Sequence, residues 1–104
     1  MIADLQRLQD EVTGWAEKTF PSQSIESKAA HLIDEAQEIW ETPRDLVEHA
    51  DALLLLLQLT KMAGYTAEDL MVASFAKLDI NKRRQWQAAD KRGVHKHANG
   101  TEAA

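Results

Sequence analysis

The chain has 104 residues, 44% hydrophobic and 28% charged, a balance that predicts one folded domain and excludes a disordered chain. Its net charge of −5 excludes a general attraction to nucleic acid or to an anionic membrane, so a phosphate-rich ligand would need local cations or bound metal. Cysteine is absent, which excludes disulfides and thiolate metal sites and fits a reducing cytosol.

The first two helices are indicated by an apolar stripe and by capping residues. Apolar residues spaced three and four apart predict an amphipathic first helix that ends before Phe20-Pro21. The stripe consists of Leu5, Leu8, Val12 and Trp15. The hydroxyl-bearing segment 22–24 then offers N-caps for a second helix, which we expect to run to about Glu41.

The third helix is predicted by its boundary residues and by a leucine run. Thr42 as N-cap and Pro43 at the first helical position predict a start directly after the second helix, and Gly64 predicts an end at Ala63. The leucines at 53–57 point in every direction around a helix, and such a helix is buried on all sides. We therefore infer a central helix and homo-oligomerisation; the alternative is a monomer with an apolar core helix.

The fourth helix begins at a capping-box pattern, Thr66 followed three residues later by Asp69. We expect this helix to fray over 86–89, and the chain becomes polar from Asp90 onward. These patterns predict an all-α fold of four helices, with a helical domain over 1–89 and a polar C-terminal tail over 90–104.

Acidic residues inside the second helix suggest a site rather than a solvated face. Because almost no loop separates the second and third helices, we expect an antiparallel pair. At about 1.5 Å per residue, Glu38 lies level with Glu48, and Glu35 lies level with Asp51. Within each helix the two acids are three residues apart and share a face. Four carboxylates are therefore expected to converge on the core side of the hairpin.

Such a cluster must take up protons or bind cations, since two carboxylates about 5 Å apart repel by about 3 kcal/mol at an effective dielectric near 20. Ligands that are all oxygen suit Mg²⁺ or Mn²⁺ and do not suit zinc or copper. The alternative is that these acid pairs lie on solvated helix faces, where the same spacing is common.

The fourth helix carries a separate basic stripe. Lys77, Asn81 and Arg84 fall at i, i+4 and i+7, so they share one face and form a candidate phosphate clamp. The alternative is a basic helix C-terminus that complements the helix dipole. Acids that hold a metal, together with a basic stripe, suit a metal-bound polyphosphate.

Two motifs resemble those of the all-α nucleoside triphosphate pyrophosphohydrolases, the MazG-like superfamily. The acidic pattern, Asp34-Glu35-x-x-Glu38 followed by Glu48-x-x-Asp51, resembles the EExxE…ExxD signature of that superfamily. Residues 77–86, KLDINKRRQW, resemble its KxxxNxxR phosphate-binding helix. Roughly residues 4–97 look most like the small phage and bacterial branch linked to dATP/dGTP diphosphohydrolases, the MazZ-like proteins. The first acid is Asp34 where the superfamily often has Glu, and the segment between the two motifs is short.

The resemblance implies a four-helix MazG-like bundle completed by homo-oligomerisation as a dimer or tetramer. It implies Mg²⁺-dependent hydrolysis of a (deoxy)nucleoside triphosphate, with dGTP or dATP favoured, to the monophosphate and pyrophosphate. We expect this activity in the cytosol of a bacterium or of a phage-infected host, with no nucleic-acid polymer and no membrane as partner.

The resemblance also assigns residues to this reaction. Two or more Mg²⁺ ions, for which Mn²⁺ can substitute, would be held by four acids, with Asp34 as an additional candidate. The four acids are Glu35, Glu38, Glu48 and Asp51. By hypothesis Glu35 or Glu38 also takes the proton of the attacking water. The basic stripe would bind the outer phosphates through Lys77, Asn81 and Arg84, which a neighbouring subunit is able to contribute.

The candidates for base binding are three aromatic residues and one histidine: Trp15, Phe20, His31 and Trp86. A ring that stacks and a donor at its edge suit a nucleobase. For Trp15 the alternative is core packing, and for His31 it is a solvated position or support of a metal ligand.

Two other classes of protein compete with this interpretation. A di-iron carboxylate bundle requires Glu-x-x-His on two helices, and no glutamate in this chain has a histidine three residues later. A non-enzymatic interaction or regulatory module, whose acids bind a basic partner, remains the alternative function.

Overall fold

The computed structural model describes residues 2–98, which contain four α-helices and confirm the all-α prediction. The helices are α1 Ile2–Thr19, α2 Ile25–Glu41, α3 Leu46–Met62 and α4 Ala67–Arg83. The chain divides into two compact units, one ending at Met71 and the other beginning at Val72. Over the described range, every helix is too short or too polar to cross a membrane.

In the first unit α3 is the central helix, because it packs against both α1 and α2. Its core is formed by buried Val12, Leu57 and Ala67, with Leu54 among the partly buried residues packed on them. The leucine run is only partly covered, since Leu53 is 40% exposed and Leu56 is 41% exposed. Burial on all sides is thus not reached within one chain, because α1 and α2 cover only part of the circumference of α3.

A buried amide fixes α1 to the other elements of this unit. The side chain of Gln9 is fully buried, and its Nε2 donates to the carbonyl oxygens of Leu57 at 3.1 Å and Tyr65 at 3.3 Å. Its Oε1 accepts from the backbone N–H of Ala67 at 2.8 Å. One side chain therefore bonds to α3, to the loop that follows it and to the first residue of α4, whose N–H is one of the groups that a helix terminus leaves without a partner.

The start of α2 is as predicted, and the start of α3 is not. Ser24 is the N-cap of α2, and its Oγ accepts from the backbone N–H of Ser27 at 3.0 Å. Thr42 does not cap α3: its Oγ1 donates to the carbonyl oxygen of Glu38 at 3.0 Å and so closes α2. The N-cap of α3 is Asp45, whose Oδ1 accepts from Val47 N–H at 3.0 Å. The prediction from Thr42 and Pro43 was therefore wrong by one helical turn.

The start of α4 confirms the predicted capping box. Asp69 N–H donates to Thr66 Oγ1, and Thr66 N–H donates to Asp69 Oδ2, both at 3.0 Å. The helix ends at Arg83, before the segment 86–89 where fraying was expected. Trp86 folds back there, and its indole Nε1 donates to the carbonyl oxygen of Asn81 at 3.0 Å. The same carbonyl, near the C-terminus of the helix, also accepts from the backbone N–H of Arg84 at 3.3 Å.

In the second unit the segment after α4 is paired with itself. Trp86 and His97 form an antiparallel bridge, and Gln87 N–H donates to the Lys96 carbonyl at 2.8 Å. A turn follows in which Asp90 Oδ1 accepts from the backbone N–H groups of Arg92 and Val94. The predicted domain boundary at residue 89 stays a prediction, and its tail extends beyond the described residues.

Candidate active site

Three of the predicted metal ligands lie together on α2 and α3. Glu35, Glu38 and Glu48 each present a carboxylate oxygen, and these oxygens all lie within 4.8 Å of one another. Glu35 is buried at 6% exposure, and its Oε2 has no hydrogen-bond partner among the described residues. Asp51 borders the same cavity as Glu35. The short connection at 42–45 makes α2 and α3 run antiparallel, which sets these acids opposite one another.

The proximity of these carboxylates changes their acidity. The pKa of Glu35 is raised, first by burial and then by the charges of Glu38 and Asp51, while His31 partly offsets the increase. The Nε2 of His31 lies 3.7 Å from Glu35 Oε1. The pKa of Glu48 is raised from 4.5 to about 7, chiefly by a side-chain hydrogen bond with Glu38 and then by burial. These groups therefore favour protons or bound cations over bare negative charge.

Asp34 occupies a different environment from the other four acids. It is exposed, lies outside the cluster of three carboxylates and makes the smallest contribution to the raised pKa of Glu35. This placement is expected, because Asp34 directly precedes Glu35 and so points toward a different side of α2. Its candidacy as a metal ligand stays a prediction.

A cavity of about 370 Å³ opens beside the acids and includes three of the predicted base-binding residues. Trp15 and Phe20 form one wall, with their rings 5.5 Å apart and nearly perpendicular. Trp15 is 57% exposed, which argues against the core-packing alternative. His31 lies on the same wall as Glu35. The first unit thus places aromatic rings, an imidazole and carboxylates around one space.

The predicted phosphate clamp lies in the second unit. Lys77 and Asn81 are in the last two turns of α4, and Arg84 directly follows it. Lys77 Nζ and Asn81 Oδ1 are buried atoms without a hydrogen-bond partner in the range 2–98. Arg84 Nη1 lies 2.6 Å and 2.7 Å from the two ring nitrogens of His97. Trp86, the fourth base-binding candidate, packs edge-on against His97 with the ring centroids 4.7 Å apart.

Two buried polar residues at the cavity were not among the predicted site residues. Lys28, on α2, is 5% exposed, and Gln58, on α3, is 6% exposed. Each lies seven residues from an acid, Lys28 before Glu35 and Gln58 after Asp51. Because seven residues make about two helical turns, each shares a face with its acid. Extending the acid pattern by one such step is the sequence signal that identifies them.

A helical fold that gathers carboxylates from two consecutive antiparallel helices beside an aromatic cavity is typical of the all-α nucleoside triphosphate pyrophosphohydrolases. More specifically, the chain belongs to the dATP/dGTP pyrophosphohydrolase family, whose model matches residues 8–102. The family resemblance predicted from the two motifs is confirmed.

Two curated relatives carry the description dATP/dGTP diphosphohydrolase. The protein of Salmonella phage PMBT28 is 37% identical over 97 residues, which cover 92% of this chain. The chain spans 31% of the length of that relative. The protein of Cyanophage S-2L is 34% identical over 104 residues, which cover 98% of this chain and 95% of that protein.

A solved structure shows the same fold with ligands. The Cyanophage S-2L MazG-like pyrophosphohydrolase, bound to dGDP and three catalytic Mn²⁺ ions per active site, superposes with a TM-score of 0.76 at 33% identity. The match covers 100% of this chain and 98% of that one. The MazG-like fold of the chain is therefore established, and the neighbour uses divalent metal.

Proposed function

We propose that this chain is a divalent-metal-dependent diphosphohydrolase that converts a deoxynucleoside triphosphate, dGTP or dATP, to the monophosphate and pyrophosphate. The observation that carries this proposal is the environment of Glu35. This carboxylate is buried, one of its oxygens lacks a partner among the described residues, and two further glutamates lie within 4.8 Å. Evolved structures keep buried polar atoms satisfied, so an arrangement of this kind calls for a bound cation.

The metal ions would be held by oxygen ligands alone, which suits Mg²⁺ or Mn²⁺. The proposed ligands are Glu35, Glu38, Glu48 and Asp51, with Asp34 as an outer candidate. When bound, the ions supply positive charge to the phosphates and lower the pKa of a coordinated water. Two or more ions per site are proposed, and the three Mn²⁺ ions of the cyanophage structure support this number.

The protein side chains orient the reaction and move its proton. Glu35 or Glu38 accepts the proton of the water that attacks the α-phosphorus. The outer phosphates are bound by the basic stripe of α4, through Lys77, Asn81 and Arg84. Among residues 2–98 the buried Nζ of Lys77 has no hydrogen-bond partner, which supports this role because a buried ammonium favours an anionic ligand.

The base is proposed to lie in the cavity beside the acids. Trp15 and Phe20 present ring surface to it, and His31 stands between that wall and Glu35. Trp86 stays a fourth candidate for base contact. The dGDP in the cyanophage neighbour supports a purine nucleotide, and the phage origin of both relatives supports action in a host cytosol.

Hydrolysis in H₂¹⁸O tests both the activity and the bond that breaks. The protein is incubated with each deoxynucleoside triphosphate and Mg²⁺ or Mn²⁺. The products are then separated, and their masses are measured by mass spectrometry. We expect monophosphate and pyrophosphate, with ¹⁸O in the monophosphate, because the water attacks the α-phosphorus. A diphosphate product, or label in the pyrophosphate, would exclude attack at that atom. No turnover of any nucleotide would favour the alternative of a non-enzymatic interaction module.

We further propose that the chain acts as a homo-oligomer, a dimer or tetramer. Large apolar side chains are exposed on two packed helices of the first unit, at Ile33, Trp40, Leu46, Leu53 and Leu56. On α2, Ile33 and Trp40 are seven residues apart. On α3, Leu46 and Leu53 have the same spacing, so each pair shares a helix face. Exposed apolar area of this extent supports contact with a second copy.

Light scattering coupled to size-exclusion chromatography tests the assembly. The wild-type chain is expected to have at least twice the mass of one chain. Leu53→Glu, which places a charge on the exposed face, should shift the mass to that of a monomer, whereas Glu68→Gln on the exposed start of α4 should not. A monomeric wild-type chain would exclude homo-oligomerisation while leaving the hydrolysis assay to judge the activity.

A further inference from the structure

The cavity of the first unit has two chemically different ends. One end is formed by Glu35 and Asp51, and Lys28 and Gln58 lie two helical turns away on the same two helices. Because α2 and α3 run antiparallel, the step from Glu35 back to Lys28 and the step from Asp51 forward to Gln58 point in the same direction. The two ends of the cavity are therefore about 10 Å apart. This is the distance from the α-phosphorus of a nucleotide to the far edge of its base. A nucleotide whose phosphate is at the acids therefore extends its base toward Lys28 and Gln58.

Gln58 presents an acceptor that the described chain leaves unused. Gln58 is only 6% exposed, and its Oε1 has no hydrogen-bond partner in residues 2–98. Its Nε2 donates to the carbonyl oxygen of Leu54 at 3.1 Å. This bond fixes the amide orientation, because the reversed amide would set two acceptor oxygens against each other. Gln58 lines the cavity, and a ligand donor that reaches this buried acceptor would satisfy it.

Lys28 presents a cation at the same level. It is 5% exposed, and its Nζ lies 5.2 Å from the centroid of the Phe20 ring. Within the described residues its ammonium has no carboxylate at ion-pair distance. An ammonium held by an aromatic face retains donors for a ligand, since Lys carries three N–H groups.

A donor beside an acceptor distinguishes guanine from adenine. At position 6 guanine has a carbonyl acceptor and adenine has an amino donor, and at position 1 guanine has an N–H donor and adenine has an acceptor. Lysine bonding to guanine O6 and N7 is a common specific contact. If a base is fixed through its sugar, the same two protein groups cannot satisfy both purines in one orientation.

We propose that Gln58 and Lys28 are specificity-determining residues that read the edge of guanine. Gln58 Oε1 accepts hydrogen bonds from the N1–H and 2-amino groups, and Lys28 donates to O6. The assignment rests on the proposed function, since it takes the acids as the place of the phosphates. Adenine in the same orientation would set its 6-amino group against the Lys28 ammonium and leave Gln58 Oε1 without a donor at N1.

The test compares kcat/KM for dGTP, dITP and dATP in wild type, Gln58→Leu and Lys28→Met. Wild type should prefer dGTP, and dITP, which lacks the 2-amino group, should be weaker than dGTP. Gln58→Leu should lower kcat/KM for dGTP by roughly 10- to 100-fold relative to dATP, the loss expected for one base-edge contact. Lys28→Met keeps the aliphatic part of the side chain and should also lower the ratio of kcat/KM for dGTP to that for dATP. Gln37→Leu, the same change at an exposed glutamine of α2, should leave the ratio unchanged.

Binding of dGMP without metal gives a readout independent of turnover. Calorimetry in EDTA should show weaker dGMP binding by Gln58→Leu than by wild type, with circular dichroism verifying that the variant folds. If wild type hydrolyses nucleotides but prefers dATP, or if Gln58→Leu lowers kcat/KM equally for all three, the base-edge assignment is overturned and the proposed function stands. If wild type hydrolyses none, the proposed function fails, and unchanged dGMP binding by Gln58→Leu would overturn the assignment separately.

Discussion

Two regions of the first unit bury polar side chains in opposite ways. At the junction of α1 with the end of α3 and the start of α4, both ends of the Gln9 amide are bonded to backbone groups. At the cavity between α2 and α3, one oxygen of Glu35 and one of Gln58 have no partner among the described residues. At the junction the buried amide is satisfied by the chain itself, whereas at the cavity the buried oxygens are satisfied only when a ligand supplies cations and donors. The difference separates residues that hold the fold from residues that recognise something.

The largest effect should come from the most buried acid of the cavity. Glu35→Gln keeps the shape of the side chain but removes the charge that would bind metal, so we expect kcat/KM to fall by roughly 10²- to 10⁴-fold, the usual loss on removing an acid–base group. Chromatographic measurement of the monophosphate gives the rate. Glu41→Gln is the matched control, because Glu41 is exposed near the end of the same helix. Equal activity of the two variants would remove Glu35 from the site.

The junction should respond in stability instead. Gln9→Leu leaves the Tyr65 carbonyl without its side-chain donor, and it removes one of the two side-chain acceptors of the Ala67 N–H. A buried group left without a partner costs about 1–3 kcal/mol. We expect the free energy of unfolding to fall by roughly 1–3 kcal/mol, measured by urea denaturation. Gln37→Leu, at an exposed glutamine, should change it by less than about 0.5 kcal/mol. A stability unchanged in Gln9→Leu would mean that water or backbone shifts replace the lost bonds.

The approach of Glu35, Glu38 and Glu48 to one another could be predicted from the sequence, because their positions follow from helical periodicity, while their role as metal ligands stays a prediction. The start of α3 was wrong since Thr42 and Asp45 are both good caps, and only the fold determines which of them meets a free N–H. The error did not affect the acids, whose relative heights depend on residue counts within each helix. The position of Gln58 on the face of Asp51 follows from helical spacing, but its role could not be predicted, because a glutamine in a sequence gives no sign of whether its oxygen will be satisfied.

The acid cluster should also make metal-free stability depend on pH. In the folded chain the pKa of Glu48 is raised from 4.5 to about 7, so the folded state holds a proton that the unfolded chain releases. Its contribution is fully present below pH 4.5 and is lost as the pH rises through about 7. Denaturation in EDTA across this window should show falling stability, and Glu48→Gln should reduce the slope. Saturating Mn²⁺ should also reduce the slope, since the metal replaces the proton.

An identical slope in wild type and Glu48→Gln would contradict the assignment of that proton to Glu48. The comparison isolates Glu48, because the other groups that face the cluster, including His31, are common to both proteins and their contributions cancel in the difference.

Of the two buried glutamines, Gln58 should have the smaller effect on stability when it is replaced by leucine, and this small effect completes the contrast with Gln9. The substitution removes an acceptor that has no partner within the described chain, and it removes one donor to the Leu54 carbonyl. That carbonyl is inside α3 and keeps the helical bond from residue 58, so no backbone group is left unsatisfied. We therefore expect the free energy of unfolding to change by less than about 1 kcal/mol, measured by urea denaturation without nucleotide. If Gln58→Leu were as destabilising as Gln9→Leu, its amide would be holding the fold, and an unsatisfied oxygen beside the cavity would no longer indicate recognition of a base.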